Sequence, residues 1–141
     1  MVRRAALFCL LVLLAAVAAA CSDDKKAAGV TNPLLPPADY KREIISTLRP
    51  LFQENQTVSV TNAFVTDPAI KQVGSSQIYS VCVRYTAHGT SPGLVGDAQR
   101  IAYFYAGHIN QLVPAEEDQC AGAAYKPFPE LDQVCIGKGC H

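Results

Sequence analysis

The chain ends Cys135-Ile136-Gly137-Lys138-Gly139-Cys140-His141, with two thiols and an imidazole close together. Such a group could do three kinds of chemistry. Two neighbouring thiols can pair as a disulfide. With His141 they could ligate zinc or copper, since thiolate and imidazole suit both ions. The spacing C-x4-C-H is also a stretched form of C-x-x-C-H, in which two thioethers hold a c-type haem and the histidine ligates its iron. Haem fits less well. Nothing follows His141 to wall a crevice, and with Met1 the single methionine, the sixth ligand would have to be His88 or His108.

The other end of the chain bears on this choice. Met1-Val2-Arg3-Arg4 is a short positive stretch, followed by an apolar run from Ala5 to Val17 and then Ala18-Ala19-Ala20-Cys21. Positive charge, a short apolar helix and small residues are the order of a secretory signal peptide, here residues 1–20. A membrane-spanning helix needs about 20 apolar residues, more than this run supplies. Ala18-Ala19-Ala20-Cys21 resembles the lipobox of bacterial lipoproteins, with Ala18 where leucine is commoner. The resemblance implies that Cys21 receives a diacylglycerol and becomes an acylated N-terminus carrying a fatty chain such as palmitate. Each buried methylene contributes about 0.8 kcal/mol, so two or more chains anchor stably. Ser22 follows, not aspartate, which resembles the pattern of lipoproteins sorted to the outer membrane, facing the periplasm. Cys9 would leave with the leader.

Exported proteins meet an oxidising environment. There Cys82, Cys120, Cys135 and Cys140 default to two disulfides. Three pairings are open. The expected one joins Cys120 to Cys135 and Cys82 to Cys140, each bridge contributing about 2–4 kcal/mol. This reading expects no metal and no cofactor. A redox, metal or haem protein built on Cys135, Cys140 and His141 is the alternative.

Twelve basic and twelve acidic residues balance in the 141-residue chain, and half of all residues are apolar. Both figures owe something to the leader, which holds Arg3, Arg4 and otherwise apolar residues. What remains is a mildly acidic chain sufficient for one modest core. That balance excludes a polybasic nucleic-acid binder. The expected contacts are a membrane, through the lipid, and another envelope protein.

The elements that must position these groups start after a tether. Residues 22–38 carry charges, small residues and Pro33, Pro36 and Pro37, without periodicity. With Cys21 they form a lipid-anchored tether over 21–38, reaching up to about 50 Å if extended. A single domain is expected over 39–141. Tyr40, Ile44, Ile45, Leu48 and Phe52 fall on one face of a helix over 38–52, with Lys41, Arg42, Glu43 and Arg49 mostly elsewhere. Pro50 should end or kink it. In 57–65, Val58, Val60, Asn62 and Phe64 alternate with Thr57, Ser59, Thr61 and Ala63 as a strand, broken by Thr66-Asp67-Pro68. Residues 77–87 form the strongest strand, with Tyr79, Val81, Val83 and Tyr85 on one face and Cys82 and Arg84 on the other. Residues 88–97 read as a loop and 99–106 as a strand. Gly107-His108 turns the chain into a short strand, Ile109 to Val113. The fold is therefore α+β, an N-terminal helix on a three- to four-stranded antiparallel meander, with an irregular, disulfide-stapled C-terminal tail. In that tail Pro127 and Pro129 exclude a central strand or a helix, which leaves an extended lid over the second sheet face.

Gly89-Thr90-Ser91-Pro92-Gly93 places a serine between glycines in the order G-x-S-x-G, but no strand-to-helix turn frames it, and no H-E-x-x-H, P-loop or dinucleotide fingerprint occurs. No catalytic residue is assigned, and an enzyme with a site in the 88–97 loop is the third hypothesis. His88, His108 and His141 read as solvated. Glu116-Glu117-Asp118 could bind calcium but suits a solvated loop. Tyr79, Tyr85, Tyr103, Phe104 and Tyr105 could form a stacking platform, though cross-strand core packing suits them better.

One pattern is more specific: Val81-Cys82-Val83-Arg84-Tyr85, then Tyr103-Phe104, Gly107 and Cys120, then Ala124-Tyr125-Lys126-Pro127-Phe128-Pro129-Glu130-Leu131 and Cys135. It resembles a family of small alphaproteobacterial, rhizobial-type lipoproteins over most of 77–135. The resemblance implies a location and a shared fold. It implies no activity and no functional residues. A tethered helix and antiparallel sheet is also similar in architecture to small lipoproteins of the outer-membrane assembly machinery, without a shared motif. The composite expectation is a lipid-anchored envelope protein acting as an interaction or structural module.

Overall fold

A computed structural model of the protein describes residues 32–54, 57–90 and 94–136. The expected signal peptide, Cys21 and the tether to residue 31, as well as Cys140 and His141, lie outside the described residues.

The first element is a helix, α1 (Tyr40–Glu54). It starts where Asp39 leaves its carbonyl to the Glu43 N–H at 3.1 Å and pairs its side chain with Arg42. Ile44, Leu48 and Phe52, four residues apart, are buried. Tyr40 and Ile45 pack at their margin, so the apolar stripe is core contact. Pro50 does not end the helix. It sits on the exposed side, where Ser46 is exposed too, so the backbone hydrogen bond it removes is lost to solvent. Phe52 beyond it is 1% exposed and holds the last turn down.

Five strands follow: β1 (Thr57–Val65), β2 (Ala69–Val73), β3 (Ser76–Gly89), β4 (Gly96–Tyr105) and β5 (His108–Pro114). With β6 (Lys126–Pro127) they form an antiparallel sheet of order β5-β4-β3-β1-β6, β2 also pairing with β3. The architecture is α+β and mostly sheet. It holds two strands more than a four-stranded meander. β2 hid in the sequence because Ala69, Lys71 and Gln72 give it no apolar face, and its burial is low throughout. Thr66 marks the break expected between β1 and β2. Its N–H donates to the Cys82 carbonyl at 2.9 Å, and its hydroxyl accepts the Cys82 N–H at 3.0 Å. Ala106 and Gly107, both with positive φ, make the two-residue turn between Tyr105 and His108, the backbone of a type I′ hairpin.

β1 carries a bulge. Thr61 pairs with Thr86 and Phe64 with Arg84, so Asn62 and Ala63 stand against Tyr85 alone, and Asn62 takes φ +52° there. The extra residue reverses the alternation beyond it. Ala63 and Val65 are therefore buried, and Phe64 lies across from Arg84 on the other face. The sequence pattern had grouped Phe64 with Val60. The bulge is what separates them.

α1 lies on one face of the sheet. Val60, Val65, Val81, Val83, Tyr85, Ala87, Ala102 and Phe104 meet it there, and Phe52 meets Tyr85 edge-to-face at 5.7 Å. Glu43 ties α1 to β5. Its half-buried carboxylate accepts the Ile109 N–H at 2.6 Å and meets His108 Nδ1 at 3.0 Å.

The C-terminal tail is more regular than its prolines suggested. Lys126 and Pro127 pair with Val65 and Phe64 at the sheet edge, where a missing N–H costs no ladder bond. Pro129 opens a short helix, α2 (Pro129–Asp132), because proline suits the first helical position. The bulge is its dock. The Ala63 N–H donates to Asp132 Oδ1 at 2.7 Å, and the Ala63 carbonyl accepts the Phe128 N–H at 2.8 Å. Phe128 and Leu131 then enter the helix-face core, each 0% exposed. The chain returns along β1 until Cys135 bridges Ser59.

The other face has a smaller core of Cys82, Ile101 and Cys120, flanked by Tyr103, Ala115 and Tyr125. Cys82 is bonded to Cys120, with Cα atoms 6.0 Å apart. This overturns the expected pairing of Cys82 with Cys140 and Cys120 with Cys135. Cys82 points away from α1, and the segment after β5 crosses that side of the sheet. So the expected second-face cover exists, but residues 115–125 supply it, and 128–134 pack with α1 instead.

Candidate functional site

Beyond the disulfide the same face of the sheet is open. Alternation on β3 sends Arg84, Thr86 and His88 to it, while Val83, Tyr85 and Ala87 enter the core. Register brings Gln99 opposite Arg84 and Asp97 opposite Thr86 on β4. The bulge adds Phe64 and Asn62 from β1. Arg84, Thr86, Asp97, Gln99, Phe64 and Asn62 line a groove of about 490 Å³.

Its polar groups are interlinked. The Thr86 hydroxyl donates to Asp97 Oδ1 at 2.6 Å, and Asn62 Nδ2 reaches Thr86 Oγ1 at 3.5 Å. The Arg84 guanidinium carbon lies 4.7 Å from the Phe64 ring centroid and 4.4 Å from that of Tyr125. Gln99 Nε2 donates to the Tyr125 hydroxyl at 2.8 Å, which fixes the second ring. Cation–π attraction of this kind contributes about 0.5–2 kcal/mol per ring, more as water is excluded.

Behind the groove, Arg100 Nε donates to the Tyr85 hydroxyl at 3.1 Å. Burial pushes the Tyr85 phenol above its ordinary pKa, and Arg100 partly opposes this. At the sheet edge, exposed Lys126 is raised by its hydrogen bond and ion pair with Asp67.

The residues singled out in the sequence are dispersed. Cys82 and Cys120 form a buried cross-link. Cys135 is disulfide-bonded as well, and a disulfide sulfur offers no thiolate to a metal or to haem. Cys21, Cys140 and His141 lie outside the described residues. His88 Nε2 meets Thr61 Oγ1 at 2.8 Å, near the end of β3 and not in a loop. No described side chain orients its other nitrogen, so a hydroxyl–imidazole pair exists without the third group that completes a nucleophilic triad. His108 belongs to the Glu43 clamp. Glu116, Glu117 and Asp118 are exposed, and among the described residues no cluster could hold a metal ion.

The tyrosines divide. Tyr85 and Phe104 are core, Tyr103 packs beside the disulfide, and Tyr105 is half-exposed at the hairpin. They form no platform. The stacking pair is Phe64 and Tyr125, which sequence reasoning missed. The available signal was Asn62, a residue that tolerates positive φ, in the middle of an otherwise alternating strand.

Set against protein-family models, curated proteins and solved structures, the chain matches none.

Proposed function

We propose that the protein is a lipid-anchored module of a bacterial cell envelope, held through Cys21 and working by binding rather than by catalysis. The observation that carries this is the order at the start of the chain: Arg3-Arg4, an apolar run, Ala18-Ala19-Ala20-Cys21, then Ser22 and a proline-bearing tether. Two structural features support it. The buried Cys82–Cys120 bond suits an oxidising compartment. The open groove offers interlinked polar groups of the kind that hold a ligand. Kinship with rhizobial-type lipoproteins is part of the same proposal.

Metabolic labelling tests the anchor. The full chain, expressed in a diderm bacterium with radiolabelled palmitate, is expected to take up label and to sediment with outer membranes. Cys21→Ser should abolish both. A wild-type chain that is unlabelled and soluble in the periplasm would overturn the reading, as would a Cys21→Ser chain that keeps its label.

A further inference from the structure

Arg84 is held by two rings, and neither occupies its N–H groups. Its guanidinium carbon lies 4.7 Å from the Phe64 ring centroid and 4.4 Å from that of Tyr125, and the guanidinium donates to no acceptor among the described residues. A guanidinium presents five donors in a planar fork that matches a planar anion such as carboxylate or phosphate. Here two rings confine the guanidinium before any ligand arrives, so less side-chain freedom is left to lose on binding.

The groove wall discriminates between anions. Among the described residues Arg84 is the single cation lining it, and Asp97 is the single anion. A phosphate, with nearly two negative charges, would meet one guanidinium and be repelled by Asp97. A carboxylate is matched by the fork. Asp97 pairs with Thr86, two residues along β3 from Arg84, which sets the two charged residues diagonally, about 7–8 Å apart at the backbone. One Asp97 oxygen holds the Thr86 hydroxyl, and among the described residues the other accepts no hydrogen bond.

We propose that this groove binds a small zwitterion: a free carboxylate on the Arg84 fork and, a few bonds away, a protonated amine on Asp97, as in an amino acid or a short peptide. Thr86 and Asn62 are positioning residues that hold the Asp97 carboxylate toward the ligand. The proposal does not depend on the lipid anchor.

Calorimetric titration of the full-length chain in detergent tests it, with four probes: glycylglycine, N-acetylglycylglycine, glycylglycinamide and inorganic phosphate. Glycylglycine should bind tightest. Capping either end should weaken binding roughly tenfold, the worth of one charge-assisted contact. Arg84→Lys keeps the charge but loses the fork, and should weaken glycylglycine by a similar factor. Asp97→Asn should weaken glycylglycine and leave the N-acetyl form unchanged. Phosphate binding tighter than the dipeptide, capped and uncapped probes binding alike, or no heat from glycylglycine at millimolar concentration would each overturn the proposal. The capping series uses only the wild-type chain, so it decides the question even if a variant fails to fold. Palmitate labelling at Cys21 stands or falls separately.

Discussion

The two faces of β3 were built from one strand and do opposite things. Residues 81, 83, 85 and 87 sink into a closed core under α1 and the Phe128–Leu131 turn. Residues 82, 84, 86 and 88 face the other way, where half the surface is sealed by a disulfide and half is left as a polar groove. On the first face, stability comes from apolar area removed from water. On the second, little is buried beyond Cys82, Ile101 and Cys120, and covalent and cation–π contacts replace area. The difference teaches where this small domain can tolerate change. The helix face should be costly to alter. The open face should be cheap except at the cross-link.

Paired phenylalanines test that contrast most strongly. Phe128 is 0% exposed on the helix face, and Phe128→Ala should cost about 3–5 kcal/mol. Phe64 stacks on Arg84 over the groove, and Phe64→Ala should cost roughly 1 kcal/mol. Urea denaturation of both variants measures the gap, and equal losses would dissolve the distinction between the faces. Next comes the cross-link. Cys82 and Cys120 are 38 residues apart in sequence, and their joint replacement by alanine should remove about 3–4 kcal/mol by freeing that loop in the unfolded chain. An unchanged urea midpoint would mean that the open face is held by something other than its disulfide.

How far the sequence foretold these faces depends on the residue. Ile44, Leu48 and Phe52 announced α1 by spacing alone, and Val81, Val83 and Tyr85 announced the buried side of β3. Both are periodic patterns, and periodicity is local. The groove was not legible. Its stacking ring Phe64 looked like core until one left-handed residue, Asn62, reversed the alternation. Its second ring, Tyr125, arrives from a segment 41 residues downstream of Arg84 by way of the chain path after β5. Glu43 sat on the polar side of the helical wheel, yet its carboxylate reaches the Ile109 backbone. The Cys82–Cys120 pairing was undecidable for the same reason, since nothing in spacing says which face a tail will cross.

The bulge itself joins the two faces, because it puts Phe64 on one and docks α2 on the other. Its capping carboxylate is the next handle. Asp132→Asn keeps shape but removes the charge that accepts the Ala63 N–H at 2.7 Å. The expected loss is about 1–2 kcal/mol, since charge-assisted bonds exceed neutral ones. If the docked turn alone loosens, amide exchange should accelerate at Phe128 and Leu131 before it does so in β3. Uniform acceleration would mean that dock and sheet open together.

The smallest effect concerns a residue that belongs to the core yet backs the groove. Tyr85 is 3% exposed, and its hydroxyl accepts a hydrogen bond from Arg100 at 3.1 Å. Tyr85→Phe should cost about 1 kcal/mol at neutral pH, the net worth of one such bond. Its pH dependence is more telling. Burial raises the folded-state pKa above the ordinary 10.0, so the neutral phenol is favoured by the fold. Its contribution is complete below the unfolded value and is lost as pH rises through the folded one. The phenylalanine variant has no such proton to lose. Urea midpoints from pH 7 to about 11 should therefore show the gap between wild type and Tyr85→Phe narrowing once pH passes the unfolded value. A constant gap would mean that the hydroxyl titrates as freely as in the unfolded chain, and that the groove's floor is wet.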